Sequence, residues 1–351
     1  MSKTSSNTRV SFLIPVLDEE QRLAACLDSV LLQSWEDFEV LVVDDGSRDA
    51  SREVAESFAR QDRRLRLLDS PREPGQEPDL PRALNHGLAF CRSEFVARLD
   101  ADDRAVSDRL LWQLTRLEQD RDLVVVDGQV RFTGPDGRDP GEGMRLYGQW
   151  VNTILEPGDF DRAILQESPV VHPAATFRRQ AVLDVGGYRS GAFPEDYDLW
   201  VRLHLAGARF AKIARVCVEM LDHEDRLTRR HPSYRREAFR AVAQLWIEQR
   251  LFRPGVRFVL WGGPNRARPW LRWLRRQGHP PVAFVDIDPG RIGRHKGGDI
   301  PIIAPEDLAN TSADYLLVAI QQRGALEQIR QALRGIRPDW VEGRDWWALV
   351  C

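Results

Sequence analysis

The stretch VSFLIPVLDEEQRLAACLDSVLLQSWEDFEVLVVDDGSRDAS, residues 10–51, decides the fold class. Its two apolar runs, VSFLIP (10–15) and FEVLVVDDGS (38–47), have the composition of buried strands, and the second one ends in acids and a glycine. Between them, apolar side chains recur at helical spacing, at Leu23, Cys26, Leu27, Val30 and Leu31. The order strand, helix, strand predicts the beginning of an α/β domain.

The same alternation continues to about residue 110. It runs through a third strand, a helix and a fourth strand, in RLRLLDS (64–70), LPRALNHGLAFC (80–91) and EFVARLD (94–100). Short connections between alternating strands and helices are typical of a mainly parallel sheet with helices on both faces. We therefore expect an α/β fold of this type.

The chain of 351 residues is long enough for two domains. We expect a disordered polar leader at 1–8, a first α/β domain at 9–252 and a small Rossmann-like α/β domain at 254–351. The boundary falls at RPG (253–255), after which strand, glycine turn, helix and strand begin anew. A Gly/Pro/Asp-rich loop at 133–143 is a candidate flexible lid.

Composition excludes several classes of protein. The net charge of −3 provides no basic field, so nucleic acid is not an expected partner. No apolar run reaches the roughly 18 residues of a membrane helix, and the polar start lacks the apolar core of a signal peptide. The four cysteines form no CxxC pair, which argues against structural zinc and, with the other features, favours a cytoplasmic protein.

Acidic clusters follow three of the predicted strands. They are Asp18 with Glu19, Asp44 with Asp45, and Asp100 with Asp102 and Asp103. Ligands of open α/β sheets bind outside the carboxyl ends of the strands, and crowded carboxylates need cations or hydrogen-bond donors to offset their repulsion. Oxygen ligands suit Mg²⁺ or Mn²⁺. The alternative, that these acids only cap helices or form turns, is weaker for three clusters on one edge than for one.

These motifs also resemble a known family. The opening stretch, then ALNHG, LDADD and PEDYDLWVRL in that order and spacing, closely resembles the family 2 glycosyltransferases with the GT-A fold, over about residues 9–235. The resemblance implies a nucleotide-diphospho-sugar donor, with a UDP-sugar favoured, Mn²⁺ or Mg²⁺ as cofactor, and inverting transfer. The implied acceptor is a hydroxyl of a glycan or lipid-linked glycan in surface polysaccharide synthesis.

The resemblance also implies residue roles. The nucleotide-sugar would be bound by Pro15, Asp18, Asp45, Asn85 and Asp100. The metal would be held by Asp102 and Asp103, with His223 as a further candidate ligand, and Asp196 would be the catalytic base, with Glu195 as the runner-up. Further candidates for contacts with metal or phosphate are His172, Arg178, Arg226 and Arg229, for which structural partners are the alternative.

The C-terminal part resembles small Rossmann-like nucleotide-sugar-binding domains. It has a glycine turn, WGGPNRA (261–267), after a strand, and Asp286 at the end of the next strand. Pro264 and Asn265 depart from the GxGxxG spacing. A structural or partner-docking module is therefore the favoured interpretation of this part, and binding of a nucleotide or sugar nucleotide is the alternative.

Two other functions are alternatives to sugar transfer. One is a non-catalytic sugar-nucleotide-binding or scaffold protein with a C-terminal nucleotide-sensing domain, against which the intact acidic set argues. The other is a nucleotidyltransferase, which should carry a glycine- and lysine-rich phosphate loop where this chain has PVLDEEQRL (15–23). The arginine-rich section 226–240 allows peripheral contact with the inner face of a membrane, although a solvated helix face is the favoured interpretation.

Overall fold

The computed structural model describes residues 8–73, 75–262, 264–296, 299–320 and 324–350. The predicted leader apart from Thr8, Gly263 of the glycine turn and Cys351 lie outside these ranges. Contacts divide the chain into two compact units, Met1–Pro157 with Pro169–Tyr234, and Gly158–Ser168 with Arg235–Cys351. The domain boundary at 252/254 stays a prediction.

The first unit confirms the predicted alternation of strands and helices. Its strands are β1 Val10–Val16, β2 Phe38–Asp44, β3 Leu65–Asp69, β4 Phe95–Arg98, β5 Arg104–Ala105, β6 Leu123–Thr133, β7 Thr176–Arg178 and β8 Arg209–Leu221. Its helices are α1 Leu23–Leu31, α2 Ser51–Gln61, α3 Leu80–Phe90, α4 Arg109–Gln119, α5 Glu142–Val151, α6 Pro157–Ala163, which continues into the second unit, α7 Arg179–Asp184, α8 Glu195–Leu205 and α9 Leu227–Arg230. Three short 3₁₀ turns span Pro135–Gly137, His172–Ala174 and Pro232–Tyr234.

The sheet of this unit has the strand order β3-β2-β1-β4-β7-β6-β8-β5. The pairs β1 with β2, β1 with β4, β2 with β3 and β6 with β8 are parallel, which confirms a mainly parallel sheet. Strand β7 runs antiparallel to both of its neighbours, and β5 is antiparallel to β8. Because β2, β1 and β4 are adjacent and parallel, the acids that follow them lie at one edge.

A fully buried arginine joins two segments that lead into this edge. Arg109 on α4 donates hydrogen bonds to the carbonyls of Arg98, Pro173 and Ala175. Burial lowers the pKa of its guanidinium to about 10. Since backbone carbonyls are its acceptors, Arg109 fixes the end of β4 against the segment that carries His172.

The second unit has the strand order β11-β12-β10-β9-β13-β14. Its elements are α10 Arg236–Arg250, β9 Phe258–Gly262, α11 Pro264–Arg276, β10 Ala283–Val285, β11 His295–Lys296, β12 Ile300–Ile303, a 3₁₀ helix Pro305–Asn310, β13 Tyr315–Ala319, α12 Ala325–Ile336 and β14 Trp346–Ala348. All pairs are parallel except β11 with β12, so the order in the parallel part is that of a doubly wound fold. This confirms a smaller Rossmann-like α/β sheet in the C-terminal part.

A glycine is required where β9 ends. A Cβ atom on Gly262 would stand 2.5 Å from the carbonyl oxygen of Ala319 on the neighbouring strand β13. The first glycine of the WGGPNRA turn therefore serves close strand packing. Among the described residues, no helix has both the length and the apolar character needed to cross a bilayer.

Candidate functional site

The loop after β4 brings three of the predicted acids into one cluster. Asp100, Asp102 and Asp103 have ligand atoms within 4.8 Å of one another. Asp102 also belongs to a second set within the same limit, formed with Glu19 from the β1 end and His223 from the β8 end. The edge therefore gathers side chains that are far apart in the sequence, as the strand order requires.

Each acid of this cluster has a cationic partner inside the protein. The pairs are Glu19 with Arg22 at 2.9 Å, Asp100 with Arg98, Asp102 with His223 at 2.8 Å, and Asp103 with Arg226 at 3.8 Å. Side chains of the protein therefore supply part of the positive charge that the crowded carboxylates require. Three of the partners are guanidinium groups, which keep their charge, whereas histidine can be neutral.

The pair of Asp102 and His223 is the place where a metal ion fits best. His223 is buried, and its Nε2 contacts Oδ2 of Asp102. Burial by itself would raise the pKa of Asp102, but the hydrogen bond from His223 and the nearby positive charge of Arg226 together outweigh it, so the pKa lies below its usual value. Imidazole nitrogens and carboxylate oxygens are both common metal ligands, so this pair can hold a divalent cation.

Asp103 contributes a buried oxygen without a partner. Its Oδ1 accepts a hydrogen bond from the backbone N–H of Leu221 at 3.1 Å, whereas Oδ2 has no hydrogen-bond partner among the described residues. Burial, followed by the charge of Asp102, raises the pKa of Asp103 well above its usual value. An orphaned buried carboxylate oxygen beside oxygen and nitrogen ligands fits a divalent cation.

Sequence reasoning named Glu19 among the strand-end acids but gave it no role. The available signal was its position after β1, and the missing information was its proximity to residues 102 and 223. Burial raises the pKa of Glu19, and the hydrogen bond from Arg22 partly opposes this rise.

The second group of predicted catalytic residues lies in the first turn of α8. Oε2 of Glu195 accepts a hydrogen bond from the hydroxyl of Tyr234 at 2.7 Å, and Oε1 lies 3.9 Å from Nδ1 of His172. Oδ1 of Asp196 accepts from the N–H of Tyr197 at 2.7 Å. Burial raises the pKa of both carboxyls, and for Asp196 the charge of Glu195 adds to the rise.

Arg98 couples the two acidic groups electrostatically. It is buried at the end of β4 and forms an ion pair with Asp100. Its charge also acts on Glu195 and Asp196, where it opposes the rise in pKa that burial causes. The first acid of the LDADD motif and the predicted base region therefore share one buried cation.

His172 lies in the protein interior between aromatic neighbours. Its Nε2 is 2.9 Å from the hydroxyl of Tyr188, and its ring meets that of Trp200 edge-on. Burial lowers the pKa of His172 well below its usual value, so the ring is neutral. These contacts support a structural role, the alternative named for it. Trp200 is fully buried core.

The side chain of Asn85 forms two hydrogen bonds with the backbone of Tyr188. Its Nδ2 donates to the carbonyl of Tyr188, and its Oδ1 accepts from the N–H of Tyr188, both at 2.8 Å. Gly187 makes this approach feasible, since it has a φ of +67° and no side chain against the amide. The predicted nucleotide role of Asn85 stays a prediction.

The other predicted nucleotide-binding residues lie at neighbouring ends of β1 and β2. Pro15 is buried in β1. Asp45 accepts from Arg82 at 3.1 Å and from the N–H of Asp79 at 2.5 Å. Asp18 is exposed, and its left-handed φ of +54° is supported by a hydrogen bond from the N–H of Arg48 at 2.6 Å.

The arginine candidates for phosphate binding all have protein partners. Arg178 pairs with Glu94 at 2.8 Å, Arg229 pairs with Asp222 at 2.6 Å, and Arg226 donates to the carbonyl of Leu221 at 2.9 Å in addition to facing Asp103. These side chains organise the protein around the site without needing a phosphate.

In the second unit, Asp286 lies at the end of β10 as predicted. Its carboxylate accepts from Arg291 and from the N–H of Asp288, both at 3.1 Å. Gly263 and residues 297–298 near the predicted ligand motifs lie outside the described ranges. Ligand binding by this unit stays a prediction.

Comparison with protein families matches the model "Glycosyl transferase family 2" to residues 11–186. Curated relatives include the putative glycosyltransferase EpsE of Bacillus subtilis, 26% identical over 66% of this chain and 79% of EpsE. An uncharacterized glycosyltransferase of Haemophilus influenzae is 27% identical over 70% of this chain and 84% of its own length. The amylovoran biosynthesis glycosyltransferase AmsE of Erwinia amylovora is 28% identical over 63% and 79%.

Among solved structures, TarS of S. aureus (residues 1–349) resembles this chain with a TM-score of 0.52 at 19% identity, over 70% of this chain and 67% of that one. The same protein in complex with UDP-GlcNAc gives a TM-score of 0.50 at 20% identity, over 69% and 66%. At this level of identity, the likeness concerns the fold.

Proposed function

Because the chain belongs to the family 2 glycosyl transferases, we propose that it transfers a sugar from a nucleotide-diphosphate donor to a hydroxyl group with inversion at the anomeric carbon. The observation that supports this proposal most strongly is that the acids form two separate groups, one beside a possible metal ligand and one in the first turn of α8. Asp102 pairs with a histidine that can bind a metal, whereas Glu195 and Asp196 form a separate pair with raised pKa values.

The donor side comprises the ends of β1, β2 and β4. Pro15, Asp18 and Asp45 would contact the nucleoside, and Asp100, held by Arg98, would contact the ribose or sugar. Mn²⁺ or Mg²⁺ would be held by Asp102 and His223, with Asp103 beside them. When bound, the cation supplies charge stabilisation for the departing diphosphate.

The acceptor side is the first turn of α8. As the acceptor oxygen bonds to the anomeric carbon, the bond from that carbon to the diphosphate oxygen breaks, and Asp196 takes the hydroxyl proton. A raised pKa makes Asp196 a stronger base than an ordinary aspartate, and a base on the face opposite the leaving group accounts for inversion. Glu195, bonded to Tyr234, is the runner-up for this role.

The names of one relative and one solved structure support the proposed donor and pathway class. AmsE is named for amylovoran biosynthesis, and TarS has been solved with UDP-GlcNAc. These names support a UDP-sugar as donor and a glycan or lipid-linked glycan as acceptor in surface polysaccharide synthesis. The proposed organisation is a catalytic domain at 9–252 and a small domain at 254–351 that binds a nucleotide or docks a partner.

The direct test is a binding screen with the full chain. UDP-, GDP- and TDP-sugars are titrated by calorimetry with Mn²⁺ and again with EDTA. The proposal expects one donor class to bind with Mn²⁺ and to bind at least tenfold more weakly with EDTA. Failure of every donor to bind or to be hydrolysed would overturn it.

A further inference from the structure

We propose that Glu19 is a third protein ligand of the divalent cation, completing an oxygen, oxygen, nitrogen set with Asp102 and His223. This inference rests on the proposed function, because it assumes that the cation binds at the pair of Asp102 and His223. It goes further by adding a residue from the end of β1 and by predicting which metal ions the site prefers.

The geometry is the first argument. One ligand atom from each of Glu19, Asp102 and His223 lies within 4.8 Å of the other two. Three atoms bound to one Mn²⁺ at about 2.1–2.2 Å would be separated by about 3–4.4 Å, so small side-chain adjustments suffice. The three residues come from the ends of β1, β4 and β8, so the set is held by three parts of one sheet.

The second argument is that His223 of this set and the neighbouring Asp103 are buried and each have a polar atom without a partner. His223 has 5% of its side chain exposed, and its Nδ1 has no hydrogen-bond partner among the described residues. Oδ2 of Asp103, whose side chain is 0% exposed, is also without one and lies in the group that shares Asp102. Unpaired buried polar atoms cost free energy, which a bound cation with its water or phosphate ligands would offset.

The third argument is that the backbone of Glu19 is fixed while its carboxylate is still available. The N–H of Glu19 donates to Oγ of the fully buried Ser51 at 2.7 Å. Arg22 bonds only Oε2 of the carboxylate, at 2.9 Å, and 20% of the Glu19 side chain is exposed. Glu19 can therefore give its other oxygen to a cation without losing the support of Arg22.

The set also implies a preference among cations. Mg²⁺ favours oxygen ligands and retains its water, whereas Mn²⁺ accepts imidazole nitrogen more readily. A site with one histidine and two carboxylates should therefore bind Mn²⁺ more tightly than Mg²⁺. Ca²⁺, which takes six to eight oxygen ligands, should bind more weakly still.

The experiment is a titration of the full chain with Mn²⁺ alone, in which electron paramagnetic resonance measures the free ion. We expect Glu19→Gln to weaken Mn²⁺ binding at least tenfold, because it removes a ligand charge and keeps the size of the side chain. The matched control is Glu20→Gln. Glu20 is exposed, and its carboxylate accepts from the N–H of Ala50, so its Mn²⁺ affinity should stay within twofold of wild type.

A double-mutant cycle separates ligation from a general effect of charge. Arg22→Gln should tighten Mn²⁺ binding in the wild-type background, and most of this gain should disappear when Glu19→Gln is also present. Arg22→Gln alone keeps Glu19, so if Glu19→Gln fails to fold, an unchanged Mn²⁺ affinity in Arg22→Gln contradicts the inference.

The outcomes distinguish the inference from the function. Equal weakening by Glu19→Gln and Glu20→Gln, or an equal effect of Arg22→Gln in both backgrounds, overturns the role of Glu19 alone. Absence of Mn²⁺ binding by the wild-type chain, with and without UDP, overturns both the metal site of the proposed function and this inference.

Discussion

His223 Nε2 lies 2.8 Å from Asp102 Oδ2, which joins the end of β8 to the loop after β4. The other three acids of this four-acid cluster pair with arginine, which does not bind metal ions, so among the four pairs this one offers both an oxygen and a nitrogen ligand. A metal ion held by Asp102 and His223 would leave the three arginine pairs unchanged.

Substitution of His223 by Asn should therefore reduce the metal-dependent part of donor affinity by about 10- to 100-fold, because one ligand is lost. Donor affinity in EDTA should not change. Calorimetry with the best donor, with Mn²⁺ and with EDTA, measures both values. His86→Asn is the control, since His86 packs against Phe90 on α3. Equal effects of the two variants would show that His223 is not a ligand.

The pH dependence of transfer should report the raised pKa of the pair on α8. Asp196 accepts a proton only when it is ionised, so kcat/KM should fall as the pH drops through its raised pKa, at a higher pH than for an ordinary aspartate. Glu195→Gln removes a neighbouring negative charge and should lower the pKa of Asp196, moving the acid limb to lower pH while activity is retained. Loss of all activity in Glu195→Gln would instead identify Glu195 as the base.

The turn between α7 and α8 should depend on Gly187. An alanine there would have a φ of +67°, with Cβ 2.5 Å from Oδ1 of Asn85. Gly187→Ala should cost about 2–3 kcal/mol, from left-handed strain and displacement of Asn85. Gly186→Ala has a similar φ of +88° but no described atom within 4 Å of the added Cβ, so it should cost about 1 kcal/mol. Equal shifts of the two melting temperatures would contradict this account.

A buried ion pair joins β6 to β8. The side chains of Asp127 and Lys212 are both 0% exposed, and Asp127 also accepts from the N–H groups of Gly128 at 2.8 Å and Val171 at 3.0 Å. Lys212→Met leaves a buried carboxylate unpaired and should destabilise the first unit by about 3–5 kcal/mol. Adding Asp127→Asn should recover part of the loss. Urea denaturation monitored on the full chain measures the free energy of unfolding of each variant. A double variant that is less stable than Lys212→Met would contradict this explanation.

Local sequence patterns were sufficient for most elements of the fold. Continuous apolar runs predict β1 and β2, and helical spacing predicts α1 between them, because burial on both faces leaves these signals in the sequence. Sequence patterns do not predict that β7 is antiparallel, because a strand of three residues carries no local signal of its direction. It depends instead on long-range pairing with β4 and β6.

The candidate site could be read only in part. The LDADD motif identifies Asp100 and Asp102, but the proximity of Glu19 to His223 depends on how three distant strand ends meet. Glu19 and Arg22, and likewise Arg98 and Asp100, are close in the sequence, so their ion pairs are predictable from it. The pairing of Asp103 with Arg226 is not, because these residues are far apart in the chain. The sequence therefore predicts that the acids need positive partners, but it does not show which of these partners belong to the protein itself.

In the proposed mechanism, Asp102 binds the metal and the donor, while Asp196 takes the proton of the acceptor hydroxyl. Donor affinity with Mn²⁺ and the rate of sugar transfer, measured in both Asp102→Asn and Asp196→Asn, separate these two roles. We expect Asp196→Asn to abolish transfer and to bind the donor like wild type, whereas Asp102→Asn should lose metal-dependent donor binding. Equal loss of donor affinity in both variants would contradict this mechanism.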